Sequence, residues 1–208
     1  PSDFRYLRVT PDLRGYFSLP VGLVLAARAG LGMVWATQDC SRNPQRCDVE
    51  SLAQTGDSWQ VPRPYRLRGG GPTSVRGVVA GQLGLRPIDQ QGVEGQVAGF
   101  PGGTRSWIAS LELRIPLGES LGIALFSDAG DVEVDDSCGP AGFCFVRPNT
   151  TLGGGLRYQT LVGPLRLDVG WLPPALQGKA PEGGEVDTSE ALFGWFDGAI
   201  HLTIGEAF

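Results

Sequence analysis

The stretch SWIASLELRIPLGESLGIALFSDAGDV, Ser106–Val132, decides the fold. In its first half Trp107, Ala109, Leu111, Leu113, Ile115 and Leu117 recur at every second position, while Ser110, Glu112 and Arg114 take positions between them. In its second half Leu121, Ile123, Leu125 and Ala129 point one way, and Gly122, Ala124, Phe126, Asp128 and Gly130 the other. Side chains of a strand alternate between its two faces, so a period of two predicts a pair of strands joined by the tight turn Leu117-Gly118-Glu119-Ser120.

The same period runs outward in both directions. In LGGGLRYQTLV, Leu156 and Tyr158 oppose Arg157 and Gln159, and in GPLRLDVGW, Leu165, Leu167, Val169 and Trp171 oppose Arg166 and Asp168. YLRVTPDLRGYF, GLVLAARAGLGMVW and the closing AIHLTIGEAF read alike, which makes roughly seven strands. Their length of about 9 to 12 residues suits a tilted bilayer crossing, whereas globular strands average about five or six. The connections also alternate in length. LPVG, LGES and LVGP are tight, while the opposite ends carry long polar loops over 38–105, 135–149 and 173–197. Short turns on one side and long loops on the other predict an antiparallel transmembrane β-barrel. The run VGLVLAARAGLGMVWA could be mistaken for a membrane helix, but it is short for a span and carries Arg28 in its middle with three glycines. A surface β-sandwich acting as a binding module would alternate in the same way and is the rival reading from another class.

Composition agrees with an all-β chain rich in turns. Of 208 residues 41% are hydrophobic and 19% charged, with 32 Gly and 16 Pro but no collagen period. The net charge of −5, with no basic stripe interleaved with aromatics, argues against a nucleic-acid partner. No signal peptide opens the sequence, which suggests an excerpt of a longer protein. The single histidine, His201, permits no Ser/His/Asp or Cys/His constellation, so neither an enzyme nor a cofactor is expected. Four cysteines fall as two local pairs, Cys40 with Cys47 and Cys138 with Cys144, in polar loop stretches. Those spacings favour two loop disulfides in an oxidising compartment; a zinc site is the weaker alternative, because no C-x-x-C is present.

One loop stands apart. RLRGGGPTSVRGV, Arg66–Val78, sets three glycines beside a proline, with Arg76 four residues beyond that proline. Successive glycine N–H groups could cradle a phosphate, but no Lys-Ser/Thr pair and no helical period follow, so a P-loop is excluded. With GGGPTSVRGV, ASLELRIPL, ALFSDAGDV, GGLRYQTLVGPLRLDVGW and HLTIGEAF in this order, the sequence resembles the carboxy-terminal barrel of the BamA/TamA superfamily, the bacterial surface antigen family. The resemblance covers nearly the whole chain. It implies about the last seven strands of a barrel of about sixteen, preceded in the intact protein by further strands and POTRA domains. The site would lie in the outer membrane of a Gram-negative-type cell. It implies an outer-membrane assembly or insertion factor that opens a lateral seam for unfolded client barrels, with membrane lipid and accessory lipoproteins as partners. A TamA-type or two-partner-secretion translocation pore shares the same motifs.

The resemblance also assigns residues. The long loop would fold back into the barrel, with Gly69, Gly70, Gly71, Val75 and Gly77 shaping its motif and Arg76 meeting the inward acids Asp128 and Glu112. A planar guanidinium can bind carboxylates bidentately; a solvated arginine on a surface turn is the plain alternative. Val78 stands where the family has an aromatic. The last strand would close the barrel, with Gly205 as a kink at the gate and Phe208 as an interfacial anchor. Arg8, Arg14, Arg28, Arg114, Arg157, Arg166, Asp12 and Asp168 are expected to line a wet lumen, with His201 satisfied there, and Trp35, Trp107 and Trp171 to form aromatic girdles. Mass spectrometry of unreduced peptides is expected to link Cys40 to Cys47 and Cys138 to Cys144; free thiols or a crossed Cys40–Cys138 link would refute the local staples.

Overall fold

A computed structural model describes residues 6–36, 61, 63–83, 102–133, 143, 145, 148–161, 163–176 and 197–205. The four cysteines and Phe208 lie outside the described residues. Among the described residues eight strands form one antiparallel sheet: β1 Tyr6–Val9, β2 Asp12–Ser18, β3 Val24–Ala36, β4 Arg105–Pro116, β5 Leu121–Glu133, β6 Asn149–Thr160, β7 Gly163–Trp171 and β8 Gly198–Ile204. From β3 onward each strand pairs with the next, so the sheet is a meander without crossovers.

Seven strands were expected from the pattern, and the extra one has a simple cause. β1 and β2 both pair with β3 in a single register, Val9 facing Met33 and Asp12 facing Gly30. They are one edge strand interrupted at Thr10 and Pro11. The Pro11 carbonyl accepts from the Leu31 N–H at 3.0 Å, but proline has no N–H to return the bond, and the ladder breaks for two residues. Other boundaries shift from the expected stretches by two or three residues: β3 begins at Val24 where the alternating run starts at Gly22, and β6 begins at Asn149 where it starts at Leu152.

The tight connections after β2, β4 and β6 all fall at one end of the sheet and the long ones after β3, β5 and β7 at the other. Register carries the alternation across the whole wall. Ala27 faces Leu111, Leu111 faces Ser127, Ser127 faces Leu152 and Leu152 faces Trp171, so one face of the sheet is built from a continuous set of positions. That face is apolar: Leu25, Ala27, Ala29, Leu31, Met33 and Trp35 on β3 continue into Trp107, Ala109, Leu111, Leu113 and Ile115 on β4. At mid-strand Leu111, Leu125 and Leu156 leave 49%, 50% and 49% of their surface open. A sandwich would cover such a face with a second sheet. Among the described residues nothing does, and hydrocarbon is the medium an uncovered apolar band of this extent fits. Trp35, Trp107 and Trp171 lie together on this face toward the long-loop end, where amphipathic rings belong at a membrane interface.

The opposite face is polar and crowded. It carries Arg28, Glu112, Arg114, Asp128, Thr151, Arg157, Arg166, Asp168 and His201. Against it lie Val61 and the loop segment 63–83, and Val61, Leu67, Val75 and Leu83 pack with Val34 of β3 and Val132 of β5 in a small apolar cluster. The bridge between Leu67 and Gly103 ties this segment back to the start of β4. Because Leu111 sits at mid-strand on the open apolar face, Leu111→Arg in the intact barrel is expected to cost about 2–4 kcal/mol in a bilayer. Urea titration in lipid vesicles measures it, and a cost near zero would contradict lipid exposure of this row.

Candidate functional site

The tip of the inward loop is two tight turns in succession. Ser74 N–H donates to the Gly71 carbonyl at 3.0 Å and Val78 N–H to the Val75 carbonyl at 3.1 Å, while Gly71 N–H reaches across to the Val78 carbonyl at 2.8 Å. Gly70 and Gly71 adopt φ of 89° and 90°, a region that side-chain-bearing residues avoid, so these two glycines are a backbone requirement, whereas a Cβ at Gly69 would lie 2.6 Å from the Leu83 side chain. Gly77 serves a different need. A Cβ there would lie 2.6 Å from the Thr151 hydroxyl oxygen, and a Cβ at Gly170 on β7 would lie 2.6 Å from the Gly77 nitrogen. Loop backbone and strand backbone touch because neither carries a side chain at the contact.

These turns project Arg76 onto the wall. Its Nε donates to Asp128 Oδ2 and its Nη2 to Asp128 Oδ1, both at 2.8 Å, a bidentate fork reinforced by the Arg76 backbone N–H at 3.1 Å. Nη1 pairs with Glu112 Oε2. The guanidinium plane lies 3.5 Å from the centroid of the Phe126 ring, so its face is covered while its edges bond. A Cβ at Gly153 would lie 2.3 Å from that ring, and the glycine makes room for it. Arg76 is 1% exposed, Glu112 and Asp128 0%. Burial opposes the arginine's charge, but the Asp128 and Glu112 carboxylates outweigh it and raise its pKa above the ordinary value.

The network extends beyond the triad that the sequence singles out. Glu112 also receives Arg114 Nε at 2.9 Å and Arg157 Nη2 at 3.3 Å. Arg157 Nη1 donates to Asp168 Oδ1 at 2.5 Å, and Arg166 Nη2 pairs with Asp168 Oδ2. Gly155 leaves space for the Arg157–Asp168 pair. Arg8 and Arg14 take no part in this cluster; Arg14 pairs with Asp12 at 2.7 Å, which in turn orients Arg28.

Residues 72–77 are tethered by every strand from β3 to β8. Arg28 of β3 donates to the Thr73 carbonyl at 2.6 Å, Glu112 of β4 and Asp128 of β5 hold the Arg76 guanidinium, and Thr151 Oγ1 of β6 accepts from Gly77 N–H at 3.2 Å. Arg166 of β7 donates to the Pro72 carbonyl at 3.2 Å, and His201 Nε2 of β8 lies 3.0 Å from the Arg76 carbonyl. Sequence reasoning picked out the acids facing Arg76 and placed the other charged residues on the inner wall. It missed Thr151 and Gly170 altogether, and it missed that Arg28, Arg166 and His201 reach loop carbonyls. Their partners are backbone atoms far away in sequence, which no side-chain pattern signals. Val78 is half-buried against the apolar cluster, and Gly205, just past β8, adopts φ of 107° with its N–H bonded to the Pro164 carbonyl at 2.8 Å.

Among the described residues no group of three or more His, Cys, Asp and Glu side chains could hold a metal ion. Most donors and acceptors of the cluster are spent on one another, an arrangement suited to holding a segment in place; the buried Nε of Arg157 and that of Arg166 lack a hydrogen-bond partner among the described residues. Breaking a buried ion pair by removing one partner costs about 3–5 kcal/mol, since the other charge is stranded. Arg76→Ala and Asp128→Ala should each destabilise the barrel by that order, and the double variant should lose clearly less than the sum, as denaturant titration in a double-mutant cycle would read. Strict additivity would sink the coupling.

The sequence matches the Omp85 superfamily domain over residues 1–208. No curated protein matches it. Among solved structures it is similar to BamA from Haemophilus ducreyi lacking POTRA domains 1–3, at 21% identity and a TM-score of 0.58, over 85% of this chain and 34% of that one. The chain therefore spans about a third of that protein, and at this identity the likeness is one of fold: an open antiparallel wall corresponding to part of a barrel. With the whole chain matched and the barrel-wall fold in place, this chain belongs to the Omp85 superfamily.

Proposed function

We propose that this chain is the carboxy-terminal part of an assembly factor of the BamA type, integral in the outer membrane of a Gram-negative-type cell, which opens a seam beside its last strand to pass client β-barrels into the lipid. The observation that carries the reading is the loop tip, residues 72–77, seated on six neighbouring strands by a buried ionic hub. An insertion machine of this kind needs a wall that is closed and rigid at rest and can yield at one place. The seated loop supplies the rigidity, because each strand is fixed both to its neighbour and to a common strut. The place that yields is the outer edge of β8, Gly198–Ile204, which among the described residues pairs with β7 alone. Gly205 adds to this weakness, since it has no side chain to pack and turns the backbone out of the strand conformation.

The residues divide the labour without chemistry. Arg76, Asp128 and Glu112 form the loop-to-wall lock; Gly69, Gly70, Gly71, Val75 and Gly77 shape the loop; Gly205 stands just past the closing strand. No cofactor is required and no covalent step occurs. Partners follow from the surfaces: lipid on the apolar face, unfolded outer-membrane proteins at the seam, the preceding strands and POTRA domains of the intact protein at the free edges, and accessory lipoproteins outside the membrane.

The test uses the intact protein in lipid vesicles, with a cysteine at Ile204 and another on the facing first strand. Locked by a disulfide, the barrel should stay folded and stop inserting clients, and reduction should restore insertion. Full insertion with the seam locked would overturn the gate, and continued passage of unfolded polypeptide through the locked protein would favour a translocation pore of the TamA or two-partner-secretion type.

A further inference from the structure

β8 is held on its inner side by contacts that its pairing with β7 does not explain. His201 points inward from the middle of the strand, opposite Asp168, and its Nε2 lies 3.0 Å from the Arg76 carbonyl. A carbonyl oxygen can only accept, so Nε2 carries the hydrogen. The bond therefore runs from the last strand to the backbone of the residue whose side chain grips Asp128 and Glu112. Arg166 supplies a second, branched connection: one Nη2 reaches the Pro72 carbonyl of the loop at 3.2 Å, and Nη1 reaches the Gly205 carbonyl just past β8 at 3.4 Å. Asp168, 0% exposed, fixes the Arg166 guanidinium so that both arms point as they do. Loop and last strand thus share two bridges, one direct through His201 and one through Arg166. The bare backbone of Gly170 lets the loop come close enough for both, since any Cβ there would strike the Arg76 carbonyl at 2.7 Å.

We propose that His201 and Arg166 are positioning residues that couple the seated loop to β8, so that displacement of the last strand and release of the loop tip are one event. The inference deepens the gate reading above by naming the groups through which seam and plug sense one another. The reasoning is mechanical. β8 cannot swing outward without pulling Nε2 from the Arg76 carbonyl, and the loop cannot withdraw without leaving the imidazole donor unpartnered and taking the Pro72 carbonyl from Arg166, which keeps Asp168 and the Gly205 carbonyl; a buried donor left unmade costs more than its bond contributes when made.

Hydrogen exchange of the full-length protein in lipid nanodiscs tests this without any client. His201→Ala should speed amide exchange about tenfold in both 69–79 and 198–204, the loss of one buried hydrogen bond acting on two elements at once. His201→Gln, which can place an amide donor near the position of Nε2, should restore slow exchange in both. The reverse perturbation is Thr151→Val, which removes the tether on Gly77 from β6 and touches no atom of β8. If loop and strand are coupled, it too should quicken exchange in 198–204. Faster exchange confined to one element in either variant, or no change in both, would overturn the coupling. Client insertion by the same proteins separates this from the gate itself: linked exchange in a protein that still inserts clients with its seam locked keeps the coupling and removes the gate.

Discussion

A charged guanidinium buried at 1% exposure inside the barrel wall is the constraint on which the rest of the site depends. Taking an ion out of water is expensive, and the cost is met only if the surrounding groups bond it on every edge. Arg76 achieves this with a fork onto Asp128, a bond to Glu112 and an aromatic ring on its face. The dependence runs both ways, because Asp128 is itself fully buried and would lose the Arg76 fork with the departure of the loop, whereas Glu112 keeps Arg114 and Arg157. Around this centre four guanidinia, from Arg76, Arg114, Arg157 and Arg166, interleave with three carboxylates, from Glu112, Asp128 and Asp168. Such a cluster holds together as a unit, and its members polarise one another in a way that pairwise bookkeeping understates.

The same strands satisfy two solvents. Each must offer lipid a row of apolar side chains and offer the loop a row of polar ones, and the two-residue period does both with no spare positions. Small residues appear where these demands leave no room: Gly153 behind Phe126, Gly155 behind the Arg157–Asp168 pair and Gly170 behind the loop backbone. On the inner wall, then, glycine marks close approach, while on the loop Gly70 and Gly71 mark a backbone conformation.

Much of this was legible in the sequence because alternation is a local property. The strands, the end on which the turns lie, and the inward phase of Glu112, Asp128 and His201 all follow from counting by twos. That Arg76 would meet those acids came from resemblance to a family, since nothing local says that a loop near residue 76 should touch a strand near residue 128. The split of the first strand was not anticipated, although Pro11 was its visible cause: a proline inside an alternating run can be an edge residue or a break, and the pattern does not choose. Arg28 and Arg166 read as generic lumen charges for a related reason. Their partners are the carbonyls of Thr73 and Pro72, and every residue has a carbonyl.

The spread of the tethers bears on the order in which the barrel is made. The six groups that hold residues 72–77 come from six strands, the most distant of them 125 residues from Arg76. Contacts so far apart in sequence form late, after the intervening chain has been brought together. They also demand correct register, because a slip of a single residue along any strand turns its tethering group from the lumen toward the lipid. The seat for the loop therefore exists only when β3 to β8 are paired in their proper alignment, and docking of the motif becomes a proofreading step: a misaligned wall offers Arg76 too few partners to bury its charge, and stays unplugged.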